Sequence, residues 1–292
     1  MKLEGSFVAL VTPFKNGQIN EGKIRELVQF QVQNGTDGLV PCGTTGESPT
    51  LTEEEKYRLF EIVIEEAKGK ATVVAGTGTN DTASSIKATK RAKAMGADAA
   101  LIITPYYNKP TQEGLFRHFE AIAKAVDLPI MIYNVPGRTS VNMLPATVAR
   151  LAKLDAVVAI KEASGDLNQV SEIITTCGDN LKVFSGDDSL FVPVLSVGGV
   201  GVVSVVANIV PKELKALCDA FKSGDILKTQ KLHRQLFPLC QAMFYETNPV
   251  PVKTAMNLLG KDVGELRLPL APMVDANQSR LEQALKNYGL IK

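Results

Sequence analysis

The sequence has almost no net charge. Its 292 residues include 32 basic and 31 acidic side chains, which leaves a formal net charge of +1. Proteins that bind nucleic acid or an anionic membrane surface usually present a basic field. We therefore expect neither a nucleic-acid partner nor a membrane partner.

Long apolar segments are also missing. The N-terminal segment MKLEGSFVALVTPF has only five consecutive apolar residues (7–11), too few for the hydrophobic region of a secretion signal. The longest apolar stretch, Val197 to Val210, is interrupted by three glycines, a serine and an asparagine, and it is too short for a membrane span. The four cysteines form no CxxC pair, which is typical of reduced thiols. We therefore expect a cytoplasmic protein.

Histidine is scarce. The chain contains only His118 and His233, and both lie within predicted helices. A metal-dependent enzyme commonly holds its ion with a cluster of histidines. The sequence therefore predicts chemistry without a bound metal.

What the sequence does contain is a set of eight short apolar segments, each closed by a turn-forming residue. They are FVALV (7–11), GLVPCG (38–43), TVVAG (72–76), AALII (99–103), IMIYN (130–134), VVAIK (157–161), KVFSG (182–186) and GVVSVV (201–206). Continuous rather than alternating apolar residues indicate strands of a parallel sheet buried on both faces.

Helical patterns separate these eight segments. Asn20, Thr52, Asn80 and Thr111 are predicted to begin helices, and Thr52 opens a capping box with Glu55. Eight alternating strands and helices predict an α/β fold of the (β/α)₈ TIM-barrel type. An open doubly wound sheet is the alternative, but it usually has a glycine-rich dinucleotide turn after its first strand. The segment TPFKNG at that place is no such turn.

The last part of the chain has a different pattern. The eight units end near Ser223, and the remainder shows helical periodicity without a clear strand. We therefore predict a catalytic barrel domain over residues 1–224 and a small C-terminal all-helical domain over residues 225–292.

Candidate site residues follow from the barrel prediction, because such barrels place their chemistry at the carboxyl ends of the strands. Lys161 ends the apolar segment VVAIK. Desolvation lowers the pKa of a lysine, and the neutral amine can attack a carbonyl group to form a Schiff base. A strand-end lysine paired with a carboxylate is the alternative, and position alone leaves both open.

The motif GTTGE (43–47) follows the second predicted strand. Its glycines allow the backbone N–H groups to turn inward, and Thr44 and Thr45 add hydroxyl donors, so the motif suits a carboxylate. A plain glycine-rich turn is the alternative. After the seventh strand, Asp187 and Asp188 would repel a phosphate, which favours a carboxylate substrate over a sugar phosphate.

Three further side chains stand at strand ends. Tyr133 can shuttle protons near a Schiff base with help from Thr44, or it can simply line the cavity. Tyr106 and Tyr107 are adjacent in one loop, and we expect one to pack while the other projects toward a partner subunit. Arg138 follows a Pro-Gly pair and suits a second carboxylate; a surface ion pair is the alternative.

Five motifs in order, GTTGE, TPYYNKPTQEG, YNVPGRT, IKEASGD and NPVPVK, resemble those of the dihydrodipicolinate synthase family, one of the pyruvate-dependent class I aldolases. The resemblance covers nearly the whole chain. It implies a cytoplasmic homotetramer, a dimer of dimers, that needs no cofactor and acts as a lyase. It implies condensation of pyruvate with L-aspartate 4-semialdehyde in diaminopimelate and lysine biosynthesis.

The resemblance also implies residue roles. Lys161 would form the Schiff base with pyruvate, and a proton relay would consist of Thr44, Tyr133 and a Tyr107 from the neighbouring subunit. Binding roles would fall to four further residues: Thr45 at the pyruvate carboxylate, Arg138 at the semialdehyde carboxylate, and the main chain near Gly186 and Val203.

Two other functions are alternatives to this one. An aldolase for a sugar acid, as in N-acetylneuraminate lyase, would not be expected to keep Arg138. A non-catalytic keto-acid-binding protein would be expected to have a broken relay.

Many members of the family are inhibited by lysine, but Ser84 replaces a carboxylate of sensitive members and Lys56 adds a like charge. We therefore expect weak or absent inhibition by lysine.

Overall fold

The computed structural model describes residues 2–292, and its main sheet is a closed barrel of eight strands. Those strands are β1 (Gly5–Ala9), β4 (Gly38–Val40), β5 (Thr72–Gly76), β6 (Ala99–Ile103), β7 (Ile130–Asn134), β8 (Val157–Glu162), β9 (Lys182–Ser185) and β10 (Gly201–Ser204). Around the barrel they follow the order β1-β10-β9-β8-β7-β6-β5-β4. The pairs from β5 to β10 and the pair β1–β4 are parallel. The predicted (β/α)₈ barrel is therefore confirmed.

Twelve α-helices lie within residues 2–292. They are α1 (Glu21–Gln33), α2 (Glu53–Ala67), α3 (Thr82–Met95), α4 (Gln112–Ala125), α5 (Pro136–Thr139), α6 (Pro145–Leu151), α7 (Leu167–Cys177), α8 (Phe191–Ser196), α9 (Pro211–Lys222), α10 (Ile226–Ala242), α11 (Val250–Leu258) and α12 (Asp275–Tyr288). In this range no helix has both the length and the apolar character that crossing a bilayer would require. The C-terminal segment is helical, as predicted.

Helix starts agree closely with the cap signals. The Asn20 side chain accepts a hydrogen bond from the N–H of Lys23 at the start of α1, and Thr52 forms the predicted capping box with Glu55. The prediction that Asn80 caps α3 is wrong by one residue. The carboxylate of Asp81 accepts the N–H of Ser84 instead, since aspartate caps a helix as well as asparagine does.

A short hairpin was not predicted. β2 (Phe14–Lys15) and β3 (Gln18–Ile19) are antiparallel and are joined by Asn16 and Gly17. Both turn residues have positive φ, 53° and 75°, which is the conformation of the tight turn that Asn-Gly favours. The Asn-Gly dipeptide itself is therefore the sequence signal from which this hairpin could have been predicted.

The chain forms two compact units. The first comprises Thr72–Val203 with the N-terminal residues up to Glu4, and the second comprises Gly5–Ala71 with Ser204–Lys292. In the first unit, Ile132 of β7 and Ile160 of β8 lie in one buried cluster with Phe119 of α4 and Ile173 of α7. This packing fixes the helix-facing side of β7 and β8. The proposed boundary near residue 224 stays a prediction.

Candidate active site

Lys161 and Tyr133 are neighbours at the ends of β8 and β7. The two residues are paired in the strand register, so their side chains leave the same face of the sheet. The Nζ atom of Lys161 lies 4.1 Å from the centroid of the Tyr133 ring, and only 6% of Lys161 is exposed. The structure thus brings together two of the predicted catalytic side chains in a buried environment.

Gly186 provides the space beside this lysine. It follows β9, and its N–H donates to the carbonyl of Glu162 at 2.8 Å. A Cβ atom at position 186 would lie 3.2 Å from Cε of Lys161 and 2.5 Å from Cβ of Ala163. Any larger residue would therefore press on the lysine side chain. Val203 is fully buried in β10, which pairs with β9.

A buried polar network lies on the opposite face of β7 and β8. Nδ2 of Asn134 donates to both carboxylate oxygens of Glu162, at 3.2 and 3.0 Å, and the N–H of Ser164 donates to one of them at 2.7 Å. Burial raises the pKa of Glu162, while the hydrogen bonds from Asn134 and Ser164 oppose that shift. This network ties together the two strand ends that carry Tyr133 and Lys161. Neither Asn134 nor Glu162 was predicted from the sequence to have a role.

Tyr107 and Arg138 are both exposed. Tyr107 is 90% exposed and has a φ of 69°, a left-handed conformation that is uncommon for a bulky residue. Arg138 lies on the short helix α5, where Pro136 is the first residue. In the single chain, therefore, neither side chain is enclosed, and the predicted roles of both stay predictions.

The GTTGE loop follows β4 in the second compact unit. It turns through bonds from the N–H of Gly46 to the carbonyl of Gly43, at 3.1 Å, and from the N–H of Glu47 to the carbonyl of Thr44, at 3.0 Å. The positive φ values flanking the turn belong to Cys42 and Glu47, both 56°, rather than to the glycines. A Cβ atom at Gly46 would lie 3.1 Å from a backbone carbonyl oxygen, that of Leu10. Gly46 therefore permits close backbone approach, while the predicted inward N–H groups stay a prediction.

Two buried side chains from the NPVPVK segment (248–253) contact this loop. Nδ2 of Asn248 donates to Oγ1 of Thr45 at 3.0 Å. Nζ of Lys253 donates to Oε1 of Glu47 at 2.7 Å and to the carbonyl of Thr12 at 3.0 Å. Burial lowers the pKa of Lys253, and the carboxylate of Glu47 opposes that shift. NPVPVK was recognised in the sequence only as a family motif, and neither contact was predicted.

The eight predicted site residues are divided between the two compact units. The two threonines of GTTGE belong to the second unit, and the other six predicted site residues belong to the first. His118 is buried in α4, where its Nδ1 lies 2.9 Å from Oγ1 of Thr82, and burial lowers its pKa to about 4. Across residues 2–292, no cluster of three or more His, Cys, Asp or Glu side chains is arranged to hold a metal ion.

Known proteins are similar to this chain over its whole length. Residues 2–288 match the Dihydrodipicolinate synthetase family. A 4-hydroxy-tetrahydrodipicolinate synthase from Geotalea uraniireducens is 58% identical over 288 residues, covering 99% of each chain. The crystal structure of dihydrodipicolinate synthase from Aquifex aeolicus has a TM-score of 0.97 and 45% identity, covering 99% of each chain.

A third relative carries a ligand. It is a chloride-inhibited dihydrodipicolinate synthase from Acinetobacter baumannii in complex with pyruvate, with a TM-score of 0.97 and 41% identity over 99% of this chain and 100% of that one. Each of these three relatives is at least 41% identical to this chain over nearly its whole length. The chain therefore belongs to the dihydrodipicolinate synthetase family.

Proposed function

We propose that this protein is a 4-hydroxy-tetrahydrodipicolinate synthase, which condenses pyruvate with L-aspartate 4-semialdehyde through a Schiff base on Lys161. The observation that carries the proposal is the buried amine of Lys161, 4.1 Å from the Tyr133 ring centroid. The pyruvate complex of the Acinetobacter baumannii relative supports pyruvate as the first substrate. The reaction supplies the first committed intermediate of diaminopimelate and lysine biosynthesis.

The chemistry begins at Lys161. Its amine attacks the keto carbon of pyruvate, and water leaves as the imine forms. The imine withdraws electrons from the neighbouring methyl carbon, which loses a proton and becomes an enamine carbon. That carbon then attacks the aldehyde carbon of the second substrate and forms the new carbon–carbon bond. The amino group of the semialdehyde next attacks the imine carbon, closes the ring and expels the amine of Lys161, which frees the product and regenerates the enzyme. Tyr133, with Thr44 and Tyr107, carries the protons that these steps release and consume.

Carboxylate recognition is assigned to two places. Thr45, with Thr44, holds the carboxylate of pyruvate, and the buried hydroxyl of Thr45 supports this role because a carboxylate needs hydrogen-bond donors. Arg138 binds the carboxylate of the semialdehyde, and its exposed position on α5 suits a substrate that arrives second. The main chain near Gly186 and Val203 lines the site.

The working form is proposed to be a cytoplasmic homotetramer, built as a dimer of dimers. The exposure of Tyr107, 90% in the single chain, supports this assembly, because a tyrosine that relays protons must lie against other groups of the site, and a partner subunit can supply them. No metal and no organic cofactor enters the proposed mechanism. Weak or absent inhibition by lysine stays a prediction.

Borohydride trapping tests the function. We expect pyruvate and borohydride together to label Lys161 irreversibly and to abolish synthase activity, since reduction fixes the imine as a stable amine. Peptide mapping by mass spectrometry locates the label. Lys182→Ala removes an exposed lysine at the start of β9 and serves as the matched control, which should still be labelled. Label on another lysine, or loss of activity on adding a chelator, would contradict the proposal.

A further inference from the structure

The NPVPVK segment has no part in the function as proposed so far, although two of its polar side chains are buried against the GTTGE loop. Asn248 is 5% exposed and Lys253 is 1% exposed. We propose that Asn248 is a positioning residue that orients the hydroxyl of Thr45 toward the carboxylate of pyruvate. This inference rests on the proposed function, in which Thr45 binds that carboxylate.

The direction of the hydrogen bond carries the argument. Nδ2 of Asn248 donates to Oγ1 of Thr45 over 3.0 Å, and the contact is buried. A threonine hydroxyl has one proton and two lone pairs, whereas a carboxylate only accepts. When the amide occupies a lone pair of the hydroxyl, the hydroxyl proton is directed to another acceptor. Donation into the hydroxyl oxygen also polarises the O–H bond and strengthens its own donation.

The same segment holds the loop at a second point. Lys253, five residues after Asn248, donates to Oε1 of Glu47 at 2.7 Å and to the carbonyl of Glu265 at 2.6 Å. Its own N–H donates to the carbonyl of Pro249 at 3.0 Å. Thr45 and Glu47, two residues apart, are therefore both attached to one short segment. This double attachment restrains the position of the Thr45 hydroxyl relative to Asn248.

A structural role alone makes a different prediction. An asparagine that only stabilises the loop would affect pyruvate binding whether or not residue 45 carries a hydroxyl. A positioning residue acts through that hydroxyl, so its effect must vanish when the hydroxyl is removed. A double-mutant cycle between positions 248 and 45 separates the two roles.

The readout is the pyruvate concentration that gives half-maximal borohydride labelling of Lys161, measured on the full chain. We expect Asn248→Ala to raise this concentration about threefold to tenfold, the range for loss of one uncharged hydrogen bond. In a Thr45→Val background, the same substitution should change it less than twofold. Asn257→Ala is the control. Asn257 lies on α11, and its side chain bonds to Val263 and Gly264, which are not part of the GTTGE loop.

A second variant keeps the test valid if Asn248→Ala does not fold. Asn248→Asp has the same shape, but its carboxylate accepts the hydroxyl proton and repels pyruvate, so we expect a larger loss than with alanine. A change below threefold in folded Asn248→Ala, an undiminished effect in the Thr45→Val background, or unchanged labelling of Asn248→Asp would each overturn the inference. If the unaltered protein is not labelled at Lys161, the proposed function itself fails, and the two failures are thus distinguishable.

Discussion

Exposure separates the charged side chains of this protein into those that can meet a substrate from solvent and those that act inside the fold. Arg138 is exposed on α5, whereas Lys161 is only 6% exposed beside Tyr133. His118 is buried at 5% exposure, and its burial favours the neutral ring. Each of these environments leads to a different measurable effect of substitution.

Arg138→Ala should spare Schiff-base formation and impair use of the semialdehyde. Loss of a charge-assisted contact with a carboxylate costs about 1.5–3 kcal/mol, which corresponds to about a 10–150-fold fall in kcat/KM for that substrate. Steady-state kinetics with each substrate varied in turn measures the effect. Arg117→Ala, on the exposed face of α4, is the control and should have little effect. A change confined to the KM for pyruvate would contradict the assignment of Arg138.

His118 should make the fold sensitive to acid. Burial lowers its pKa from 6.5 to about 4, although Asp81 opposes the shift. Between those pH values the unfolded chain binds a proton that the folded chain does not, so the free energy of unfolding rises with pH. This contribution of His118 to stability is complete above its pKa in the unfolded chain. It is lost as pH falls toward its pKa in the folded chain. It amounts to at most about 3–4 kcal/mol.

The test compares thermal midpoints at about pH 7 and about pH 5 at one protein concentration. His118→Asn retains a group that can bond to Thr82 but cannot take up a proton. We expect the difference between the two midpoints to shrink in this variant. His233→Asn, at a less buried position on α10, should shrink it less. Equal pH dependence in the unaltered protein and in His118→Asn would argue against the role of His118.

At the scale of elements, the strand pair β7–β8 and the helix α11 are each bonded to a segment that carries proposed site residues. The register pairs Asn134 with Glu162 directly beyond Tyr133 and Lys161, and the side chains of the outer pair are hydrogen bonded. α11 holds the GTTGE loop through the buried pair Lys253 and Glu47, whose side chains are each 1% exposed. Buried ion pairs are most costly when one partner is removed, because the other charge stays buried.

Lys253→Met should therefore destabilise the protein strongly. It leaves the carboxylate of Glu47 without its ammonium partner, and removal of one member of a buried pair costs about 3–5 kcal/mol. Adding Glu47→Gln should restore part of that loss. Thermal midpoints at a fixed protein concentration measure both effects. Lys228→Met, at an exposed position on α10, is the control. A Lys253→Met midpoint no lower than that of this control would show that the pair Lys253 and Glu47 does not stabilise the fold.

At the scale of the whole molecule, the single chain leaves one proposed relay member outside any enclosed site. Tyr107 is 90% exposed with a φ of 69°, while Lys161 and Tyr133 are buried within one chain. A side chain held in an uncommon conformation and left in solvent is better explained by a partner surface than by packing in its own subunit. In the proposed oligomer, the partner subunit would enclose Tyr107 and so complete the site.

Subunit mixing tests that arrangement. Lys161→Ala and Tyr107→Phe chains should each be nearly inactive, and their mixture should regain activity, because one site of each hybrid dimer has both groups. Random exchange gives about a quarter of the activity of the unaltered protein, since about half of the dimers are hybrids with one intact site in two.

The control mixture is Lys161→Ala with Tyr133→Phe. These two groups come from the same chain, so every hybrid site lacks one of them and no activity should return. Exchange between subunits is verified by mass spectrometry with an isotopically labelled chain. Absence of recovery in the Tyr107 mixture, when exchange is demonstrated, would place Tyr107 in its own subunit.

Local sequence determined the elements of this protein. Continuous apolar segments such as 72–76, 99–103 and 130–134 coincide with β5, β6 and β7, because a strand buried on both faces needs apolar residues at every position. The cap residues Asn20 and Thr52 begin α1 and α2 as predicted, since a cap bonds only to its own first turn. The position of Lys161 at a strand end was likewise visible in the sequence.

Tertiary structure alone decided which distant side chains meet. Asn248 bonds to Thr45 across 203 residues of sequence, and Lys253 bonds to Glu47 across 206. Periodicity and capping are short-range properties, so they carry no information about such pairs. The contacts arise only when the chain folds back on itself, and burial then makes each polar group depend on the partner it finds there.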